Sequence, residues 1–422
     1  MTYDRPADPV ENVGRNGMTS RALVTAAILS LIPVACSSDD EAAEGAGAGD
    51  GGSSGATSAN PSDGGPGGSN PTTPGTDDGD SSGVDPTAAD STSGETTGEP
   101  PSGGGSDLPV PPGPDDLPAP SGAPGNLRVL DWAGFAAALS YTYDDGQPTH
   151  IEHWPALAAT GTRMTFYVTT GNSGIPGYPE TFMDALASGS EIANHTVNHC
   201  NFDQACGAAA PGSHASELDD ADAYITGTLG APAVYTMAYP FGDTGYASAV
   251  AERYLLARGV SSGRIAPLDG TDPFNLPTFA LQGGETLDVF ESAIDDTRAA
   301  GEWLTLLLHS ILPGDNWYAG VELDVITGSI AHAQGYGDVW IDSLINVGAY
   351  WRGQQVVAAA DVSVQGDTTT LTWTLPDHFP PDRYVRVTVD GGTLSQGGAA
   401  LSWDGHGYYE VALDAGTLTI AP

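Results

Sequence analysis

Phe135-Ala136-Ala137-Ala138-Leu139-Ser140-Tyr141-Thr142-Tyr143-Asp144-Asp145-Gly146 is a run of apolar and β-prone residues that ends in two adjacent carboxylates and a glycine. An extended backbone sends successive side chains to opposite sides, so a strand ending here can aim one carboxylate at a cation and the other at a proton. Asp-Asp-Gly alone also fits a solvated turn, since Asp opens turns and Gly supplies positive φ. The residues downstream of Gly146 decide between the two. Pro148 to Thr160 has a helix start, with Ile151, Trp154, Leu157 and Ala158 at helical spacing, and Thr162 to Thr170 is then rich in β-formers.

That strand-helix unit repeats. Pro179 to Ser188 reads as helix and Glu191 to Thr196 as strand, His214 to Leu229 as helix and Val234 to Pro240 as strand. Tyr246 to Ala257 reads as helix, Thr286 to Ala300 as helix before the strand Trp303 to His309, and Val321 to Ala333 as helix before Val339 to Ile341 and a last helix reaching Trp351. The alternation predicts an α/β fold, a distorted (β/α)7-type barrel spanning 126–353.

In a parallel α/β barrel the active site gathers at the carboxyl ends of the strands. Asp144 and Asp145 end the first strand, His195 and His199 follow the third, Tyr239-Pro240-Phe241-Gly242 ends the next, and His309 ends Leu304-Thr305-Leu306-Leu307-Leu308. A His-x-x-x-His pair alone is often surface decoration, and a lone His after an apolar strand is often a satisfied buried imidazole. Their joint placement at strand ends favours a metal hydrolase.

The ordered set resembles the polysaccharide deacetylases of carbohydrate esterase family 4, the NodB-homology domain. Tyr143-Asp144-Asp145-Gly146 is similar to the family's Thr/Ser-Phe-Asp-Asp-Gly motif, His195-Thr196-Val197-Asn198-His199 to its His-Ser/Thr-x-x-His motif, and Leu308-His309-Ser310-Ile311 to its late Leu-His motif. Ala238 stands where the family has Arg, two residues before Pro240, and nothing between Gly259 and Leu281 matches its Asp-Trp motif.

The resemblance implies that Asp145, His195 and His199 bind a divalent cation. Zinc is the expected ion, and cobalt, nickel or iron also suit two imidazoles and a carboxylate. It further implies that Asp144 is the general base for a water activated by the cation, that the backbone N–H of Phe241 faces the oxyanion, and that His309 protonates the leaving group. With Ala238 in place of Arg, the charged neighbour of Asp144 is not identified by sequence. Trp317 and Tyr318 are candidates for an aromatic platform under a sugar, with Tyr143 bordering the same cleft; ordinary loop packing is the alternative. His150, His153 and His214 read as surface or packing residues.

The flanking segments differ in character. The chain has 422 residues, a formal net charge of -42 and no Lys, with nine Arg from Arg128 onward. That balance excludes nucleic acid as a partner and suits an exposed, soluble surface. Arg21 followed by the apolar stretch Ala22 to Ala35 is laid out as an export signal, too short for a comfortable membrane span, and Cys36 stands where a bacterial lipoprotein would be lipidated. Residues 1–36 are therefore expected to be a signal/lipoprotein segment anchoring the exported chain to a membrane, with plain secretion as the alternative. Residues 37–125, without an aromatic side chain and rich in Gly, Ser, Thr, Pro and Asp, read as a long disordered acidic tether. In an exported chain Cys200 and Cys206 are expected to form a local disulfide, free thiols or metal ligation being the alternatives.

Residues 354–422 read as a small all-β module. Leu371, Trp373 and Leu375 alternate with threonines, Val385, Val387 and Val389 repeat the pattern, and Asp390-Gly391-Gly392 reads as a hairpin turn. The module is expected to cap the barrel, or to bind carbohydrate through Trp403, Tyr408 or Tyr409. The expected activity is removal of acetyl groups, N-acetyl first, from an acetylated polysaccharide outside the cytoplasm. The alternatives are an acetyl-ester esterase on xylan-type glycans and a non-catalytic carbohydrate-binding lipoprotein.

Overall fold

The structure, a computed structural model, describes residues 106–171 and 174–422. The expected signal, the expected lipid on Cys36 and residues 37–105 of the expected 37–125 tether lie outside the described residues.

Seven parallel strands close a barrel: β1 (Ala137–Asp144), β2 (Thr165–Val168), β3 (Glu191–Asn194), β4 (Thr236–Ala238), β5 (Leu256–Ser262), β6 (Leu276–Ala280) and β7 (Trp303–Leu308). The ring closes where Ala138 to Tyr143 of β1 pair with Trp303 to Leu308 of β7. An eighth parallel strand, β8 (Val339–Ile341), pairs with residues 137–139 of β1, below the point where Thr142 to Asp144 pair with β2. Every residue of β1 is buried, as expected of a parallel strand covered on both faces.

The helices are α1 (Pro148–Ala158), α2 (Pro179–Ala187), α3 (Ala215–Gly227), α4 (Leu287–Ala300), α5 (Leu323–Tyr336) and α6 (Leu344–Ala358). None of the helices among the described residues is long and apolar enough to cross a membrane. α1 begins with Pro148 at its first turn, where a missing N–H costs nothing. α4 and α5 end on the left-handed glycines Gly301 and Gly337.

One stretch departs from the expectation. Tyr246 to Ala257 holds only a short helix, Ala247–Ala251, after which the chain turns into β5, and β6 follows. Leu255-Leu256-Ala257 is a continuous apolar run, a pattern that a buried parallel strand and a buried helix share.

The C-terminal residues form two antiparallel sheets. In one, Leu127–Val129, from the other end of the domain, pairs with Tyr384–Val389, which pairs in turn with Tyr408–Ala412. The other contains Asp361–Gln365, Thr368–Thr372, Thr417–Ala421 and Thr393–Gln396. Asp390-Gly391-Gly392 is therefore a crossing between sheets and not the expected hairpin. Gly391 is used for close approach: a Cβ there would meet the Ala123 carbonyl oxygen at 2.3 Å.

Residues 106–117 lie along this module. Arg386, fully buried, donates to the carbonyls of Leu108, Pro109 and Ala133 and to Glu410, and Glu410 also accepts from Ser106. Trp403 donates to the Leu117 carbonyl, while Tyr408 and Tyr409 are buried, so none of the three forms an open sugar platform. One apolar core runs from Trp132, Trp303 and Trp351 in the barrel to Val385, Val387 and Leu413 in the module.

Candidate active site

The carboxyl ends of the barrel strands bring Asp144, Asp145, His195, His199, Phe241 and His309 to one mouth. β1 ends at Asp144, and the chain then turns in the left-handed region, with φ of 75° at Asp145 and 64° at Gly146. Gly146 has no alternative there, because a Cβ would lie 2.2 Å from Ile175 Cδ1. Thr196, His199 and Phe241 also carry positive φ. Non-glycine residues pay about 1–2 kcal/mol to sit there, and such strain collects at functional sites.

Asp145, His195 and His199 present one ligand atom each, all within 4.8 Å of one another. Both Nε2 atoms lie 3.5 Å from Asp145 Oδ1. His195 Nδ1 lies 2.8 Å from the Ala238 carbonyl, which can only accept; Nδ1 therefore carries the proton and the Nε2 lone pair faces the centre. Thr196 Oγ1 accepts the His199 N–H, and the disulfide Cys200–Cys206 follows directly, with Tyr246 donating its hydroxyl to the Cys200 carbonyl. The donor set, its convergence and the tautomer of His195 fit a divalent cation.

Asp144 is buried beside that cluster, with its Oδ2 3.8 Å from His195 Nε2. The charged neighbour that sequence could not identify is Arg258, fully buried on β5, whose Nη2 donates to both carboxylate oxygens of Asp144. Arg258 is the register partner of Ala238 across β4 and β5, so the guanidinium arrives from the strand beside the position where the family carries Arg. It also lies over the Tyr167 ring and donates to the Gly259 carbonyl. The sequence signal was a lone cation directly after the apolar run Leu255-Leu256-Ala257, at the end of a stretch that reads as helix.

Burial pushes the Asp144 carboxyl up, but Arg258, with His195 and His309 behind it, outweighs burial and holds it below its ordinary value. Burial likewise raises Asp145, and its polar neighbours, His195 first and then Gln147 and His199, outweigh burial and bring it far down. Both carboxylates are ionised at neutral pH. Burial and the neighbouring His195 lower His199 to about 4, which leaves its imidazole neutral and able to coordinate. His309 is lowered chiefly by burial; its Nδ1 is buried without a hydrogen-bond partner, and its ring meets Tyr318 edge-on at 4.8 Å.

Trp317 and Tyr318, both about half exposed, border an open cleft of about 370 Å³ with Asp145, Asn198 and His199. Phe241 is exposed and packs edge-on against His199 at 4.4 Å. Tyr143 is not in the cleft: it is fully buried, stacked on Phe166. His150 and His153 are buried too and do more than fill space. His150 Nε2 bonds the carbonyl of His309 at 2.7 Å, and His153 Nε2 bonds that of Pro313. His214 bonds the Gln204 carbonyl and packs on Phe202 and Tyr246.

Barrel and site together bring two carboxylates and three imidazoles to the strand ends. Residues 136–256 match the family model described as polysaccharide deacetylase, which bears out the resemblance of that segment. No curated protein matches the chain. Among solved structures, a Mycobacterium smegmatis protein described as a polysaccharide deacetylase is 16% identical, with 57% of this chain and 96% of that one covered and a TM-score of 0.42. A family 4 carbohydrate esterase from Streptomyces lividans, solved with acetate, is 19% identical over 51% of this chain and 95% of its own, with a TM-score of 0.35.

Proposed function

We propose that the chain is a metal-dependent deacetylase that hydrolyses acetyl groups, N-acetyl first, on a polysaccharide outside the cytoplasm. The observation that carries it is Asp144, held ionised by Arg258 beside the Asp145, His195 and His199 cluster and within electrostatic reach of His309. Asp145, His195 and His199 would hold the ion, zinc first among candidates. Bound there, a divalent cation supplies Lewis acidity to a water and to the acetyl carbonyl.

The protein's own groups do the rest. Asp144 accepts the proton of the attacking water, and Arg258 keeps that carboxylate oriented. The Phe241 N–H donates to the oxygen on which negative charge develops. His309 delivers a proton to the departing nitrogen, which an amide needs because its anion is too basic to leave. Trp317 and Tyr318 supply apolar faces for a sugar ring. The Cys200–Cys206 disulfide supports an oxidising compartment, in keeping with export and with a lipid on Cys36.

The test is acetate release by the zinc- or cobalt-loaded protein from N-acetylglucosamine polymers, peptidoglycan and acetylated xylan, with Asp144→Ala as control. Release from the first two that the control abolishes is the expected result. Release from xylan alone would make the chain an ester hydrolase, and no release from any of them would favour a binding role.

A further inference from the structure

The start of α1 grips the segment after β7 residue by residue. Gln147 Oε1 accepts the Ser310 hydroxyl at 2.5 Å, Thr149 Oγ1 accepts the Ile311 N–H at 3.1 Å, and His150 bonds the His309 carbonyl. Three further hydrogen bonds extend the first of these in both directions. Gln147 Nε2 donates to Asp145 Oδ2 at 3.0 Å, and Ser310 Oγ accepts the N–H groups of Trp317 at 2.9 Å and Tyr318 at 3.2 Å. Gln147 and Ser310 are fully buried.

The proton positions along this chain follow from its two ends. An ionised carboxylate only accepts, so the Gln147 amide must turn its NH₂ toward Asp145 and its carbonyl toward Ser310. Backbone N–H groups only donate, so the Ser310 hydroxyl hydrogen is free for Gln147. Every dipole then points the same way, from the 317–318 backbone to the Asp145 charge, and aligned hydrogen bonds strengthen one another in a dry interior.

We propose that Gln147 and Ser310 are positioning residues that couple Asp145 to the aromatic loop at 317–318, so that cation affinity and the seating of a sugar on Trp317 and Tyr318 change together. The proposal rests on the reading of Asp145, His195 and His199 as cation ligands. Ser310 touches none of the three, which makes it the diagnostic position.

The experiment titrates the full chain with Zn²⁺ against a chromophoric chelator, without substrate, in the wild type, Ser310→Ala, Gln147→Leu and the double variant, and measures KM and kcat separately on an acetylated oligosaccharide. Partners that orient a metal ligand are worth about 10–100-fold in affinity, so Gln147→Leu is expected to lose at least about tenfold. Ser310→Ala is expected to lose about threefold or more and to raise KM more than it lowers kcat, and adding it to Gln147→Leu should change nothing further. Zn²⁺ affinity unchanged in Ser310→Ala, or losses that add in the double variant, overturns the coupling. A wild-type chain that takes up no Zn²⁺ overturns the reading of the site, and the coupling with it. If Gln147→Leu fails to fold by circular dichroism, Gln147→Glu, which keeps the shape but sets an acceptor against Asp145, takes its place with the same expected losses.

Discussion

Arg258 donates to both carboxylate oxygens of Asp144 from a strand adjacent to the one bearing Ala238, and Ala238 and Arg258 are register partners. A guanidinium at residue 238, beside Arg258 in register, is therefore expected to reach the same carboxylate. Breaking a buried ion pair by removing one partner typically costs 3–5 kcal/mol, because the other charge is left behind. Arg258→Ala is expected to lower kcat at least about 100-fold with little change in KM. Ala238→Arg placed on top of it should recover a tenth or more of the activity. No recovery in a folded double variant would mean that the two strands are not interchangeable.

His309→Ala separates amide from ester chemistry. Loss of a proton donor at the leaving group is expected to cost about 100-fold or more on an N-acetyl substrate. A sugar O-acetyl or aryl acetate, whose leaving oxygen needs less help, should lose far less. Equal losses on both would remove His309 from the leaving-group side. Rates on matched N- and O-acetyl substrates decide it.

The disulfide bears on the cation. His199 sits at φ 53° directly before Cys200, in a loop pinned by Cys200–Cys206 and by the Tyr246 hydroxyl. The paired substitution Cys200→Ser with Cys206→Ser is expected to weaken Zn²⁺ binding by about tenfold, while Asp144 and His309 keep their places. Chelator competition measures it. Unaltered affinity would leave the bridge with a role in stability alone.

Asp222 sits behind the His195 loop, where it accepts from Asn194 and from the Tyr254 hydroxyl. Burial raises its carboxyl to about 6, against those hydrogen bonds. A carboxyl whose folded value exceeds its unfolded value of 3.8 stabilises the fold when protonated, so its contribution is complete below about pH 4 and is lost as pH rises through about 6. Relative to wild type, Asp222→Asn should gain stability from pH 4 to 7, by at most about 3 kcal/mol. Thermal unfolding across that range gives the answer, and parallel curves would refute it.

The barrel, its first strand, the disulfide and the meeting of six side chains at the strand ends could be read from the sequence because each sits in a local pattern: an apolar strand, a turn and a chemically distinctive side chain. Arg258, Gln147 and Ser310 could not. Arg258 reaches Asp144 across the barrel interior from a segment whose apolar run fits helix or strand, and Gln147 meets Ser310 only because β1 and β7 close the ring. Tyr143 shows the opposite error. It lies next to Asp144 in sequence, but the alternation of an extended strand turns it to the other face, against Phe166.

Leu127–Val129 is the earliest strand among the described residues, yet its partner Tyr384–Val389 comes from near the far end of the chain. During synthesis the first strand emerges early and must wait, so the last layer of the barrel's floor cannot close until most of the protein has left the ribosome. Contacts this distant in sequence slow folding, and the waiting edge is open to wrong partners. A fragment ending at residue 353 would keep every residue of the site and still leave Leu127–Val129 unpaired, with the tryptophan-rich base uncovered. The barrel is thus not a detachable unit, and shortening this protein from its C-terminus is expected to yield aggregate before it yields a smaller folded protein.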